Sequence, residues 1–535
     1  MHVSMWPTIL PSSSFCCLTA TAFIVWIAHK AYKRIAHIRR LSFLPGPPTV
    51  SHLWGHAFDL RGAPTGTRYN VWREQYGPVY LIRDPLMEPI LVMGDTKGAS
   101  HILNNTSKYW RPDIDKSILT LWFGASLLSS EAESHSRRRQ RLNPAFTPQS
   151  VKQVSHVFFD LAHHLRANWD DKIGPDESVV INVSEALHSF SLNAISMTMF
   201  AHDLSASSST IPALLANLSN GPSEEDTPLN RIAAVVVGAY PQMLSLPNPM
   251  KTWANMLKTE LGKIAQEAWD AAQRDETVGR MDAKVLEVLN QDRKAGDSVS
   301  RDDVVAEIIG LIFAGSETIA NVMGELLYEL SRQPIIQSRL RAELIEFEVT
   351  HGAPPSYIDL AASGKNGLEY LEAITMETMR CKAVVMDISR QAVVEDVIPL
   401  NAPLPGSHEI GLRVHPGQII SIPVRDGVNV DPTVWGDDAD EFKPERWLEK
   451  RTSNRGVGPG SMLTFGDGGK VCIGRAFALA EFKIVTSVLV RHFSFHLAEG
   501  QQDVDFYHLG GNTVKPKVRG KERQGVMLPI RVRRG

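Results

Sequence analysis

"FGDGGKVCIG", residues 465–474, sets a single cysteine, Cys472, in a loop with glycines at 466, 468, 469 and 474. Glycine tolerates positive φ and lets backbone approach a bulky ligand, so amide hydrogens can gather around a sulfur. Such donors favour thiolate over thiol, and the thiolate is the form that binds metal. A buried structural cysteine in a glycine-rich turn is the commoner occurrence. Here Phe465, Gly468, Cys472 and Gly474 hold the fixed spacing FxxGxxxCxG, with the cation Lys470 two residues before the sulfur, and that combination points to a ligand.

Outward from this loop, "ETMR" (377–380) puts Glu377 and Arg380 on one helical face, where a solvated ion pair is the default reading. "FKPERW" (442–447) adds Arg446. "FAGSET" (313–318) falls midway along a long helical period. Gly315 there costs about 1 kcal/mol relative to alanine, and the Thr318 hydroxyl can bond the carbonyl four residues back and bend the axis. An ordinary small-residue packing face is the plain alternative. "HSRRRQRLNPAF" (135–146) places His135 and Arg139 at i, i+4, although a basic helix facing solvent has the same look.

In combination and in this order, the motifs resemble those of the cytochrome P450 superfamily, in its fungal microsomal type, from residue 45 to the C-terminus. The resemblance implies that Cys472 is the axial thiolate of haem b (heme, iron protoporphyrin IX) and donates electron density that favours O–O cleavage. It places Phe465, Gly468 and Gly474 in the loop around that bond. It assigns Lys470, His135, Arg139 and Arg390 to the haem propionates; lysine stands where the family usually has arginine or histidine, keeping charge without the guanidinium fork. Glu377, Arg380 and Arg446 are expected as a buried triad beneath the loop, interdependent because buried charges are costly unless paired. Thr318 is assigned to hydrogen-bonding the oxygen being activated and Glu317 to relaying protons. One departure stands out: the family's proline after the arginine of this motif is missing from "CKAVVMDISR" (381–390).

The implied activity is that of a haem-thiolate monooxygenase, which puts one atom of O2 into a lipophilic small molecule, such as a terpenoid or other secondary metabolite. Electrons are expected from NADPH through a separate NADPH–cytochrome P450 reductase, with cytochrome b5 as a further donor, because the chain shows neither GxGxxG nor a flavin domain. Arg475 and Lys483 are read as basic residues available to an acidic donor. A peroxide-rearranging haem enzyme is the rival within the family, disfavoured by the presence of both Glu317 and Thr318. A non-catalytic haem-binding or sensor protein is the rival outside enzymology. By the resemblance, pocket walls are expected from 112–126, 205–247, 313–318 and 384–388, all largely apolar.

Bulk properties agree with an enzyme. The 535 residues are 43% hydrophobic and 21% charged, a globular composition. A net charge of -3 gives no reason to expect nucleic acid as a partner. The basic "VKPKVRGKERQG" (514–525) reads as a solvated hairpin or tail. Four cysteines without CxxC spacing exclude a disulfide framework and make a zinc site a poor reading.

Residues 9–28 are uncharged, long enough for one bilayer crossing, and followed by Lys30, Lys33, Arg34, Arg39 and Arg40. Basic charge after the apolar run argues for an uncleaved transmembrane helix rather than a signal peptide. The expectation is therefore an anchor and basic flank over 1–44 and a P450 catalytic domain over 45–535, single-pass in the endoplasmic reticulum membrane with the catalytic domain cytosolic. The expected fold is mainly α with a small β subdomain. Periodicity predicts helices over 151–169, 183–201, 255–275, 301–332, 334–349, 368–381 and 476–493, a hairpin over 78–94, and short strands near 391–394 and 419–424. Residues 205–228, rich in Ser, Pro, Asn and Gly, read as a surface excursion.

Overall fold

The computed structural model describes residues 39–49, 51–175, 177–201, 240–273, 300–362, 365–404, 408–448, 462–498, 504–509 and 513–535, with a few isolated positions besides. The helices that position the site are α1 (Thr96–Asn104), α2 (Asp113–Phe123), α3 (Ala132–Leu142), α4 (Pro148–Ile173), α5 (Val183–Phe200), α6 (Pro249–Gln273), α7 (Arg301–Arg332), α8 (Pro334–His351), α9 (Glu369–Cys381) and α10 (Arg475–His492). All seven helices expected from periodicity are present, with ends moved by at most six residues.

Helix α7 is the central element. Ser300 caps it by accepting the Asp303 N–H at 3.1 Å, and Asp302 and Asp303 complement the positive end of the helix dipole. From Val304 to Ser331 most of its side chains are buried, the mark of a helix enclosed on all sides. Four of those are glutamates, and each meets a cation brought by a different part of the chain. Glu307 pairs with Arg138 of α3 at 2.7 Å, and Glu325 with Arg425 at 2.5 Å. Glu329 pairs with Lys382, just past α9, at 2.9 Å, and Glu317 with Lys515 at 3.0 Å. Losing one partner of such a pair strands a buried charge, so these contacts fix how peripheral elements dock on α7.

Helix α5 packs along α7, and Gly315 makes the approach possible. A Cβ at that position would stand 2.9 Å from both Cδ1 and Cγ1 of Ile195. Its helix-propensity cost is thus offset by packing, so the small-residue packing reading holds alongside the chemical one.

The largest sheet runs β1 (Val79–Asp84), β2 (Glu88–Met93), β8 (Ile419–Pro423), β5 (Asp387–Ala392) and β3 (Tyr109–Trp110). β1 and β2 form the expected hairpin, in register Val79 with Met93. A second sheet joins β4 (Ser178–Asn182), β12 (Pro529–Arg534) and β9 (Phe493–Leu497), and two pairs stand apart, β6 (Asp396–Pro399) with β7 (Gly411–Val414) and β10 (Val504–Leu509) with β11 (Thr513–Val518). The architecture is mainly α with small β parts, as expected.

Two readings change, and two lie outside the described residues. Among the described residues no helix is long and apolar enough to cross a membrane, so the single-pass endoplasmic reticulum placement is withdrawn. The proposed span 9–28 lies outside the described residues except for Thr21 and Val25, as does the whole of 205–228. The "VKPKVRGKERQG" stretch forms a hairpin strand, but it is not solvated throughout, because Lys515 is completely buried.

Candidate functional site

The Cys472 loop is closed by its own backbone. The Cys472 N–H donates to the Phe465 carbonyl at 2.7 Å, and Gly466 N–H to Leu463 O at 2.8 Å. Only two of its glycines need left-handed backbone, Gly466 at φ +70 and Gly468 at φ +66. Gly468 also lies hard against α1, where a Cβ would stand 2.4 Å from the Leu103 carbonyl oxygen. Asp467 secures this edge: it accepts Gly468 N–H at 2.8 Å, the Ser100 hydroxyl at 3.2 Å and Asn104 Nδ2 at 3.0 Å. Gly468→Ala should therefore push the loop off α1 and cost about 1–3 kcal/mol of stability. The check is denaturant unfolding combined with the haem-to-protein ratio after purification, which should fall together.

The sulfur retains exposed surface, yet burial pushes its thiol up while the Gly474 N–H and the cations Arg139 and Arg475 pull it down. A Cβ at 474 would meet Sγ at an ordinary contact distance, 4.0 Å, so the loop does not need glycine there for space around the sulfur. An exposed cysteine whose thiolate is favoured by an amide and two cations suits a metal ligand, which binding would deprotonate.

Beneath the loop the structure brings Glu377, Arg380 and Arg446 together. Arg380 grips Glu377 through Nε and Nη2, both at 2.8 Å, and Arg446 Nε donates to Glu377 Oε1 at 2.9 Å. Two further donors complete the carboxylate's shell, Lys443 N–H at 2.9 Å and the Trp447 indole at 2.8 Å. Burial raises the Glu377 carboxyl, but Arg380 outweighs it, and the group lies below the ordinary range. Asn429 links triad to loop: its Nδ2 donates to Arg380 O and Thr464 Oγ1, both at 2.8 Å, while its Oδ1 accepts Leu463 N–H at 2.7 Å. The missing proline leaves no slack. Val514 N–H donates to Val384 O at 2.7 Å, and Val424 N–H to Met386 O at 2.8 Å, so the run after α9 is held between β11 and the end of β8.

A cluster of basic side chains stands beside the loop. His135 and Arg139 come from α3, Arg390 from β5 and Lys470 from the loop itself; Arg139 Nη1 donates to the Val471 carbonyl. Arg111, which the sequence reading did not single out, joins them. Glu131 lies among them, paired with Lys470 and accepting the Arg111 backbone N–H at 3.2 Å, and Asp115 is a second carboxylate, near Arg111 and Arg390. Burial, then Arg111 and Arg390, pushes Lys470 down to about 8 against the pull of Glu131. Burial and then Arg111 push Arg390 down to about 10. His135 falls to about 4, through burial first and then Lys470 and Arg139. Cations that depress one another are short of anions, and the two propionates of a porphyrin supply them. Cys472 and this cluster thus fit haem b.

On α7, Thr318 Oγ1 donates to Ala314 O at 2.8 Å, the expected bond to the carbonyl four residues back, and Ser316 repeats it to Ile312 at 2.8 Å. Phe313 packs against Phe123 of α2, centroids 4.9 Å apart, and near Trp122, which also meets Trp253 of α6 at 5.5 Å. The two basic residues expected to be available to a redox partner part ways. Arg475 is exposed, its guanidinium 5.6 Å from the Phe465 ring. Lys483 is buried, paired with Glu372 and donating to Leu360 O at 3.1 Å, so it is not available for docking.

A family model described as Cytochrome P450 matches residues 45–521. The chain is 31% identical to cytochrome P450 monooxygenase claW of Ampulloclitocybe clavipes, with 93% of this chain and 94% of that protein covered. It is 30% identical to claU of the same fungus over 96% of each chain. It is 28% identical to cytochrome P450 monooxygenase 128 of Postia placenta, covering 95% of this chain and 96% of that one.

Proposed function

The chain belongs to the cytochrome P450 family and is a monooxygenase of it, and on that premise we propose that it oxidises a lipophilic small molecule of the terpenoid or other secondary-metabolite kind, with residues 45–535 as the catalytic domain and electrons drawn from NADPH through a separate reductase. Bound haem b, ligated by a cysteine thiolate as in the family, supplies the activation of dioxygen. Cys472 provides that thiolate, with the Gly474 amide holding its charge. Arg111, His135, Arg139, Arg390 and Lys470 hold and orient the propionates, and the Glu377 triad keeps the loop from yielding. Thr318 offers a hydroxyl one bond rotation away from its present acceptor, Ala314 O, and Glu317 next to it handles protons.

The observation that carries this reading is an exposed Cys472 beside basic side chains that depress one another. The aromatic packing of Trp122, Phe123, Trp253 and Phe313 in and beside the expected pocket walls supports an apolar substrate. A panel of terpenoids, steroids and fatty acids, titrated into the ferric protein, should include compounds that shift the Soret band. Those compounds should be consumed when NADPH and a cytochrome P450 reductase are added. Strict dependence on an organic peroxide instead of NADPH would replace this reading with the rearrangement chemistry.

Thr318→Ala should leave haem content unchanged and lower product formation roughly ten- to hundredfold, within reach of what a positioned proton-handling group contributes. The lost electrons should reappear as hydrogen peroxide. Fully coupled turnover in this variant contradicts the role given to Thr318.

A further inference from the structure

Glu317 is not simply a carboxylate beside Thr318. Its Oε2 lies 3.0 Å from Lys515 Nζ, and both side chains are almost wholly buried. Lys515 belongs to β11, which is tied to the run after α9 by the Val514–Val384 hydrogen bond and the Val385–Thr513 bridge. The ammonium is therefore delivered from a fixed strand. On the opposite side, Glu317 Oε1 faces His188 Nε2 of α5 at 3.7 Å, and the histidine keeps 22% of its side-chain surface. His188 Nδ1 lies 2.7 Å from Ser184 O. A carbonyl only accepts, so Nδ1 carries a hydrogen and Nε2 is the nitrogen turned to the carboxylate. Burial alone would push the Glu317 carboxyl up, but Lys515 and then His188 hold it below the usual carboxylate range.

We propose that Lys515 and His188 are positioning residues for proton delivery: Lys515 fixes Glu317 as an ionised carboxylate, and His188 joins that carboxylate to protons at the surface. This rests on the reading of Glu317 as the proton-handling group. Nε2 is itself buried, so the proton is taken up as the partly exposed ring turns toward the surface, and it passes to Glu317 Oε1 on the ring's return and on toward the Thr318 side. The imidazole ends neutral and the carboxylate is restored once the proton leaves, with Lys515 keeping its charge throughout. A strand residue some two hundred positions from α7 thus sets the resting charge of the relay.

The test uses the full-length holoenzyme with its reductase and the compound that gives the largest Soret shift. Isotope-edited infrared spectroscopy reads the charge state of Glu317, and peroxide formed per NADPH reads coupling. Lys515→Met should give a protonated-carboxyl band that vanishes when Glu317→Gln is added, and should raise the peroxide share about tenfold. Lys515→Arg should do neither. His188→Leu should raise the peroxide share without the band, since Lys515 still holds the charge. An ionised Glu317 and unchanged coupling in Lys515→Met overturn the role of Lys515. Equal damage from Lys515→Arg overturns it in favour of packing, and full coupling in His188→Leu removes the surface end of the path. If Glu317→Gln itself stays coupled, the proton-relay reading falls, whatever Lys515→Met shows.

Discussion

Replacing Cys472 with alanine is expected to abolish the thiolate-type absorption band of the reduced, carbon monoxide-bound protein and to lower turnover by more than about a hundredfold, beyond the effect of losing an outer partner of a metal ligand. The Cys472 backbone N–H donates to the Phe465 carbonyl at 2.7 Å, so the placement of this residue in the loop depends on the backbone rather than on neighbouring side chains. Alanine keeps that backbone. Lys470 and the three arginines still attract porphyrin propionates, with His135 as a neutral hydrogen-bonding partner, so the variant should retain part of its haem without the thiolate spectrum. Separating haem content from spectral type in one preparation distinguishes lost ligation from lost folding.

Replacing Glu377 with alanine is the second large expected effect. It leaves Arg380, fully buried, and Arg446 without the carboxylate that accepts from both, and orphans the Lys443 amide and the Trp447 indole as well. Breaking a buried pair from one side costs about 3–5 kcal/mol. The denaturation midpoint should drop accordingly, and haem should be lost with it, since Asn429 carries the disturbance from Arg380 to Leu463 and Thr464. The acid behaviour follows from the sign of the shift. The Glu377 carboxyl is held below its ordinary range in the folded protein. Its contribution is therefore complete above about pH 4 and is lost as pH falls through the folded-state value. The wild type should lose stability in that acid window more steeply than Glu377→Gln. Equal slopes would mean that the triad is not the acid-sensitive element.

What could be read from the sequence divides along a physical line. The Cys472 loop, the Glu377–Arg380 pair and the α7 cap are local patterns, in which a few neighbouring positions settle the geometry. The helix starts near 183 and 334 were legible through periodicity, and the start at 301 through its cap as well. Arg111 and Asn429 were not, because they act on partners far along the chain and no short spacing marks them. Lys515 and Lys483 were misread as solvated. A lysine looks exposed by default, and only the tertiary fold reveals that each is buried against a glutamate, Glu317 and Glu372. Asp467 was passed over as a loop residue, although it ties the Cys472 loop to α1 through Ser100 and Asn104. Gly315 shows the reverse case: the sequence flagged its helix cost correctly, and the packing of Ile195 explains it.

The bond between the Cys472 sulfur and haem iron is open to direct measurement by X-ray absorption at the iron edge of the purified ferric protein. One sulfur neighbour per iron is expected in the wild type, disappearing in Cys472→Ala. A wild-type spectrum with only nitrogen and oxygen around the iron would contradict the assignment.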